Sequence, residues 1–111
     1  MSDLTTDEAA EHVIAALEEA IDRLNDLRTT AAQADSEAKR LQATALLAAR
    51  SQGYTSREER DAYATLQSVD AREAADICER TYRDTLTYIR TLQSRLDLIR
   101  TQIVSRREIR V

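Results

Sequence analysis

At 111 residues and a formal net charge of −4, with four Tyr and no Phe or Trp, the chain suits one small domain rather than several. One glycine, no proline and a dominance of Ala, Leu, Ile, Arg and Glu favour helix and argue against sheet. A single cysteine, Cys78, excludes an internal disulfide and fits a reducing compartment.

The beginning Met1-Ser2-Asp3-Leu4 is polar and acidic, unlike a signal peptide, and reads as a short tail. Thr5-Thr6-Asp7-Glu8 is a capping box, with Thr5 as cap and Glu8 reaching back, so the first helix is expected from residue 5. Asp7, Glu8 and Glu11 then meet the positive end of the helix dipole. From there a heptad runs through Ala10, Val13, Leu17, Ala20, Leu24, Leu27, Ala31, Ala34, Ala38, Leu41, Ala45 and Ala48, every position apolar. Ile14 and Ile21 widen the stripe in its first half. After Leu27 the seam is mostly alanine, which permits close approach of a partner helix but buries less area. The β-branched pair Thr29-Thr30 is the weakest point. A break there would give three helices, the first at 5–28 and the second at 31–51.

Gly53 is the expected stop. Without a Cβ it enters the left-handed region freely and suits the position after a helix C-terminus. Thr55-x-x-Glu58 and Ser56-x-x-Glu59 both have capping-box spacing, so a second helix is expected from Arg57, after a turn at 52–56. Tyr63, Leu66 and Val69 suggest its early apolar stripe. A heptad follows through Ala71, Ala75, Cys78, Tyr82, Thr85, Ile89, Leu92, Leu96, Ile99 and Ile103. Ile77, Tyr88, Leu98 and Val104 lie beside or off that seam, leaving the last quarter apolar on more than one face. The helix is expected to end near residue 108.

These signals predict one all-α domain: a long antiparallel helical hairpin, coiled-coil-like, with helix one at 5–51 and helix two at 57–108. Folding at Gly53 lays the alanine seam against the start of helix two, and the Leu- and Ile-rich halves against each other. It also lays the acidic arm, net −8 over 1–37, along an arm of residues 38–111 that carries +4. Two helices enclose little interior, so self-association into a homo-oligomer is expected, with Leu92, Leu96, Ile99 and Ile103 as interface. No apolar run approaches the roughly 20 residues of a membrane span, so a cytoplasmic protein without membrane contact is expected.

No enzyme signature stands out. His12 lacks a second strong metal ligand, so no metal site is expected, and Cys78 on a helical seam reads as a packed thiol. Gly53 alone forms no phosphate-cradling loop, and neither a cofactor nor a small-molecule substrate is implied. The functional candidate is the run of arginines Arg90, Arg95, Arg100, Arg106, Arg107 and Arg110. Their spacing winds around the helix, which fits no duplex-groove motif but suits sequence-independent contact with phosphates. Tyr54, Tyr63, Tyr82 and Tyr88 are candidates for stacking on single strands, against the plainer role of core filler.

The block from Tyr88 to Glu108 resembles the C-terminal signature of a family of small helical proteins of tailed phages, through Arg90, Leu92, Leu96, Asp97, Arg100, Thr101, Ser105 and Glu108. Gly53-Tyr54-Thr55 with Arg57 and Arg60 is similar to that family's turn, and the likeness covers about residues 35–110. The layout is also similar to UvsY-type recombination mediators, helical oligomers that bind single-stranded DNA and help load a recombinase. The resemblance implies a non-enzymatic accessory protein of DNA recombination or replication in the host cytoplasm, partnered by itself, single-stranded DNA and a recombinase. The competing expectation is a helical interaction module that binds and modulates a host or phage protein without touching nucleic acid. A secreted helical hairpin of the Trp-x-Gly type is disfavoured, because the chain has no Trp and carries Gln52-Gly53-Tyr54 instead.

Overall fold

The computed structural model describes the backbone of residues 5–109 and the side chains of residues 5–107. The expected tail at Met1–Leu4 and the candidate Arg110 lie outside the described residues. The fold is all-α, a helical hairpin of two elements: α1 (Thr6–Ala48) and α2 (Arg57–Ile109).

Local chemistry sets the helix ends. At α1 the capping box forms in both directions. The Glu8 amide donates to Thr5 Oγ1 at 3.1 Å and the Thr5 amide donates to Glu8 Oε2 at 3.3 Å. At the other end the Tyr54 amide donates to the Ala49 carbonyl at 3.1 Å and the Gly53 amide to the Arg50 carbonyl at 3.0 Å. These two bonds make a Schellman closure, with Gly53 at φ 92° in the left-handed residue that closure needs. A Cβ at Gly53 would meet nothing within 4 Å, so the backbone angle and not crowding selects glycine. The last turn of α1 tightens, with the Ala49 amide donating to Leu46 and Gln52 to both Ala48 and Ala49. Regular helix therefore ends at Ala48 rather than 51. Of the two caps open to α2, Ser56 is taken. Its hydroxyl accepts from the Glu59 amide at 3.1 Å, while Glu59 Oε2 accepts from the Thr55 amide at 3.3 Å.

α1 does not break at Thr29-Thr30, so there are two helices rather than three. Leu27 is half-buried and Ala31 buried on either side of the pair. Packing along that seam outweighs the few tenths of a kcal/mol by which threonine disfavours helix. Threonine is managed similarly in α2, where the hydroxyls of Thr81, Thr87, Thr91 and Thr101 donate to the carbonyl four residues back.

The chain forms two compact units, each built from a stretch of both helices. Among the described residues, unit 1 holds 5–25 and 83–109, and unit 2 holds 26–82. In unit 1 the helices run antiparallel. Arg106 reaches Thr6, and Tyr88 sits beside Ala16, Ala20 and Arg23. The core of this unit is Val13, Leu17 and Ala20 against Ile89, Leu92, Leu96 and Ile99, with Ala9, Ala10, Ala16, Leu24 and Ile103 packed around it. These are large side chains at seam positions of both helices, so most of the unit's buried apolar area lies here.

Unit 2 is built from small residues. Ala31, Ala38, Ala45 and Ala49 are buried from one side, and Ala64, Ala75 and Ser68 from the other. The expected stripe of Tyr63, Leu66 and Val69 is not the packed one: Leu66 is 68% and Val69 49% exposed, with Tyr63 half-buried beside Tyr54. The heptad carried back from Ala71 meets Ser68 and Ala64 instead. An alanine seam on α1 brings the backbones close and leaves no room for larger side chains opposite. Ser68 resolves its burial by donating to the Ala64 carbonyl at 2.8 Å.

Asp35 binds across the helices in unit 2. Its Oδ1 accepts from Arg72 and its Oδ2 pairs with Lys39, each at 2.9 Å. The hydrogen bond from Lys39, and then that from Arg72, hold the Asp35 carboxyl below its usual range. A depressed carboxylate adds stability that is complete above its unfolded value, about 3.9, and disappears as pH falls through the lower folded value. Titration of side-chain carboxyl signals by NMR is therefore expected to find Asp35 ionising below ordinary aspartates. Lys39→Met is expected to move it back upward, and no change in that variant would contradict the assignment.

Candidate nucleic-acid interface

The described arginines of the C-terminal arm, Arg90, Arg95, Arg100, Arg106 and Arg107, are all exposed. None lies within 4 Å of a carboxylate among the described residues. By contrast Arg23, Lys39, Arg40, Arg57 and Arg72 each pair with an acid. The acidic arm that was expected to lie against these arginines does not pair with them. Glu8, Glu11, Glu18, Glu19 and Asp22 fall at heptad positions away from the α1 seam and are exposed. A heptad seam turns its a and d positions inward, and charges placed at b, c and f are carried to the back of the helix.

The arginines separate into rows. Arg95 follows Tyr88 by one heptad, about 10 Å along the axis, so the two share a flank. Tyr88 is 52% exposed, at the edge of a notch lined by Ala16, Glu19, Ala20 and Arg23. Further along, Arg106 Nη1 donates to Thr6 Oγ1 at 2.8 Å, beside Asp7, Ile103 and Arg107. Arg100 and Arg107, also one heptad apart, stand on the other flank of α2, with Arg90 further round on the same side. Arg95 thus shares a flank with Tyr88, while Arg90, Arg100 and Arg107 stand away from that flank.

Arg23 was not singled out from sequence, yet it stands at the Tyr88 notch. It is held at 2.8 Å by Glu19 Oε1, which offsets part of its charge. The signal was present: Arg23 is the lone base in the first 27 residues, two heptads on from Ala9 and one from Ala16. Small alanines at those positions leave the floor of the flank open beside an aromatic ring. The exposed ring over a floor of alanines offers a surface on which a base can stack, with Arg23, paired to Glu19, at its edge.

Leu92, Leu96 and Ile99, expected to join copies, are instead buried at 4%, 7% and 9% exposure against α1 of the same chain, with Ile103 packed on them. The apolar side chains that remain outside in unit 1 are Ile14, Ile21, Tyr88, Leu98 and Val104. Tyr82 is half-buried, with Arg28 over its ring at 5.8 Å, so that tyrosine is engaged within unit 2. Tyr54 and Tyr63 stack on each other at 5.1 Å beside the turn. Cys78 is a half-buried free thiol and His12 is exposed. Among the described residues no three of His, Cys, Asp and Glu gather as metal ligands, and no helix is long and apolar enough to cross a membrane.

Compared with known proteins, the chain matches no family model, no curated protein and no solved structure.

Proposed function

We propose that the chain is a non-enzymatic accessory protein of DNA recombination or replication, which self-associates and binds single-stranded DNA through the Tyr88–Arg95 flank of α2. In this reading it assists a recombinase in the cytoplasm of a phage-infected host. The observation that carries the reading is the set of exposed arginines in the C-terminal arm with no carboxylate partner, two of them aligned with an exposed tyrosine or with the α1 N-terminus. An arginine left unpaired on a helix surface keeps its bidentate fork for phosphate oxygens. The phage origin and the recombinase rest on the sequence resemblance over about residues 35–110 alone.

The experiment is fluorescence anisotropy of a labelled single-stranded oligonucleotide at several salt concentrations. Each phosphate neutralised contributes a slope of about −0.7 in log affinity against log salt. Arg95→Ala is expected to weaken binding several-fold and to reduce that slope by about 0.7. Tyr88→Ala is expected to weaken binding while leaving the slope unchanged, because stacking releases no counterion. Absent or salt-insensitive binding overturns the reading.

One observation favours the alternative of a protein-interaction module: Leu98 and Val104 are 61% and 52% exposed on α2. In that case the chain captures its protein partner in a pull-down, Leu98→Glu abolishes the capture, and oligonucleotides do not bind.

A further inference from the structure

Unit 1 has a second flank, opposite the Tyr88 notch, where apolar side chains lie beside charges of one sign on each helix. On α1, Ile14 and Ile21 are 37% and 47% exposed, one heptad apart. Glu11 and Glu18, also one heptad apart, border them on the outward side. On α2, half-buried Leu86 and 52% exposed Val104 share that side with Arg90, Arg100 and Arg107, and Asp97 is an acid within the row. Glu11, Glu18, Arg90 and Arg100 are exposed and have no ion-pair partner among the described residues. Among the described residues no ion pair joins the two charge sets within the chain.

We propose that this flank binds a second copy of the chain, with α1 of each copy antiparallel to α2 of the other around a twofold axis parallel to the helices. Such an axis preserves height along the bundle. Within one unit Thr6 stands level with Arg106, and Ala16 to Arg23 stand level with Tyr88. Across the axis, Glu11 of one copy therefore comes level with Arg100 of the other, Glu18 with Arg90, and Ile21 with Leu86. Every contact occurs twice, and the result is a four-helix arrangement with an acidic edge against a basic edge on both sides. Charge complementarity at matched heights is what singles out a second copy from an unrelated partner. The surface deepens the self-association in the proposed function. It does not depend on DNA binding, because Tyr88 and Arg95 lie on the other flank.

Sedimentation of the full chain without DNA tests this. The wild type is expected at twice its 12.5 kDa. Glu11→Arg with Glu18→Arg, and separately Arg90→Glu with Arg100→Glu, are each expected to weaken association by about a hundredfold, and an equimolar mixture of the two variants to restore the dimer. Circular dichroism reports whether each variant keeps its helices. Should a swap lower helicity, the single exposed change Ile21→Gln reads the same surface. A wild type that stays monomeric at about 100 μM, far above the dissociation constant of a specific interface, overturns the proposal. Dimers indifferent to both swaps, as expected if copies or partners use another face, overturn it as well, as does a mixture that stays monomeric. None of these outcomes bears on the oligonucleotide measurement.

Discussion

Replacing Leu96 with alanine is expected to lower the free energy of unfolding by about 2–5 kcal/mol, the range for large-to-small changes in a packed core. Leu96 is 7% exposed in the cluster formed by Val13, Leu17, Ala20, Ile89, Leu92 and Ile99. Only two helices supply that cluster, so no third element moves in to fill the space, which places the cost toward the upper part of the range. Leu98, two residues further on, is 61% exposed. Leu98→Ala removes the same atoms from a surface position and is expected to change stability by less than about 0.5 kcal/mol. Urea unfolding followed by circular dichroism, at one fixed protein concentration so that any association contributes equally, separates the two. Equal losses for both variants would mean that the seam is not the core.

The alanine seam of unit 2 is expected to fail in the opposite direction. Ala38 is 2% exposed, on a seam whose buried α2 residues are Ala64, Ser68 and Ala75. Ala38→Leu adds three carbons where the backbones approach closely, and the helices must separate or the side chain must leave its rotamer. The expected cost is about 1–3 kcal/mol. Ala43→Leu, at an exposed position of the same helix, is expected to be close to neutral. Thermal unfolding at matched concentration checks the contrast. If Ala38→Leu stabilises the protein, unit 2 holds spare volume and its packing is looser than the burial of its alanines indicates.

Much of the fold is legible because helix signals are local. Thr5 with Glu8 and Ser56 with Glu59 encode the two starts within four residues each, and Gly53 encodes the stop by its φ of 92°. The heptad positions on α1 are buried or half-buried throughout, from Ala10 to Ala48. The early part of α2 was harder to read. Hydrophobicity points to Leu66 and Val69, while the seam uses Ala64 and Ser68, and a buried serine carries no hydrophobic signal. The candidate interface was half legible. The arginines were visible as a run, but their division into flanks was not, and Arg23 was hidden within an acidic arm.

Composition and spacing alone determined that this chain is helical, where each helix begins, where the chain turns, and which residues form the seams apart from the start of α2. All of these follow from contacts within four residues along the chain. Tertiary structure decided what the seams enclose and what they leave outside. Leu92, Leu96 and Ile99 are spent on α1 of the same chain, Glu11, Glu18, Glu19 and Asp22 stay exposed without pairing to the arginines of the C-terminal arm, and Tyr88 comes to stand beside Arg23. Those outcomes depend on the register between stretches some sixty to a hundred positions apart. No local pattern specifies that register, because it is settled by large side chains meeting large ones in unit 1 and small ones meeting small in unit 2.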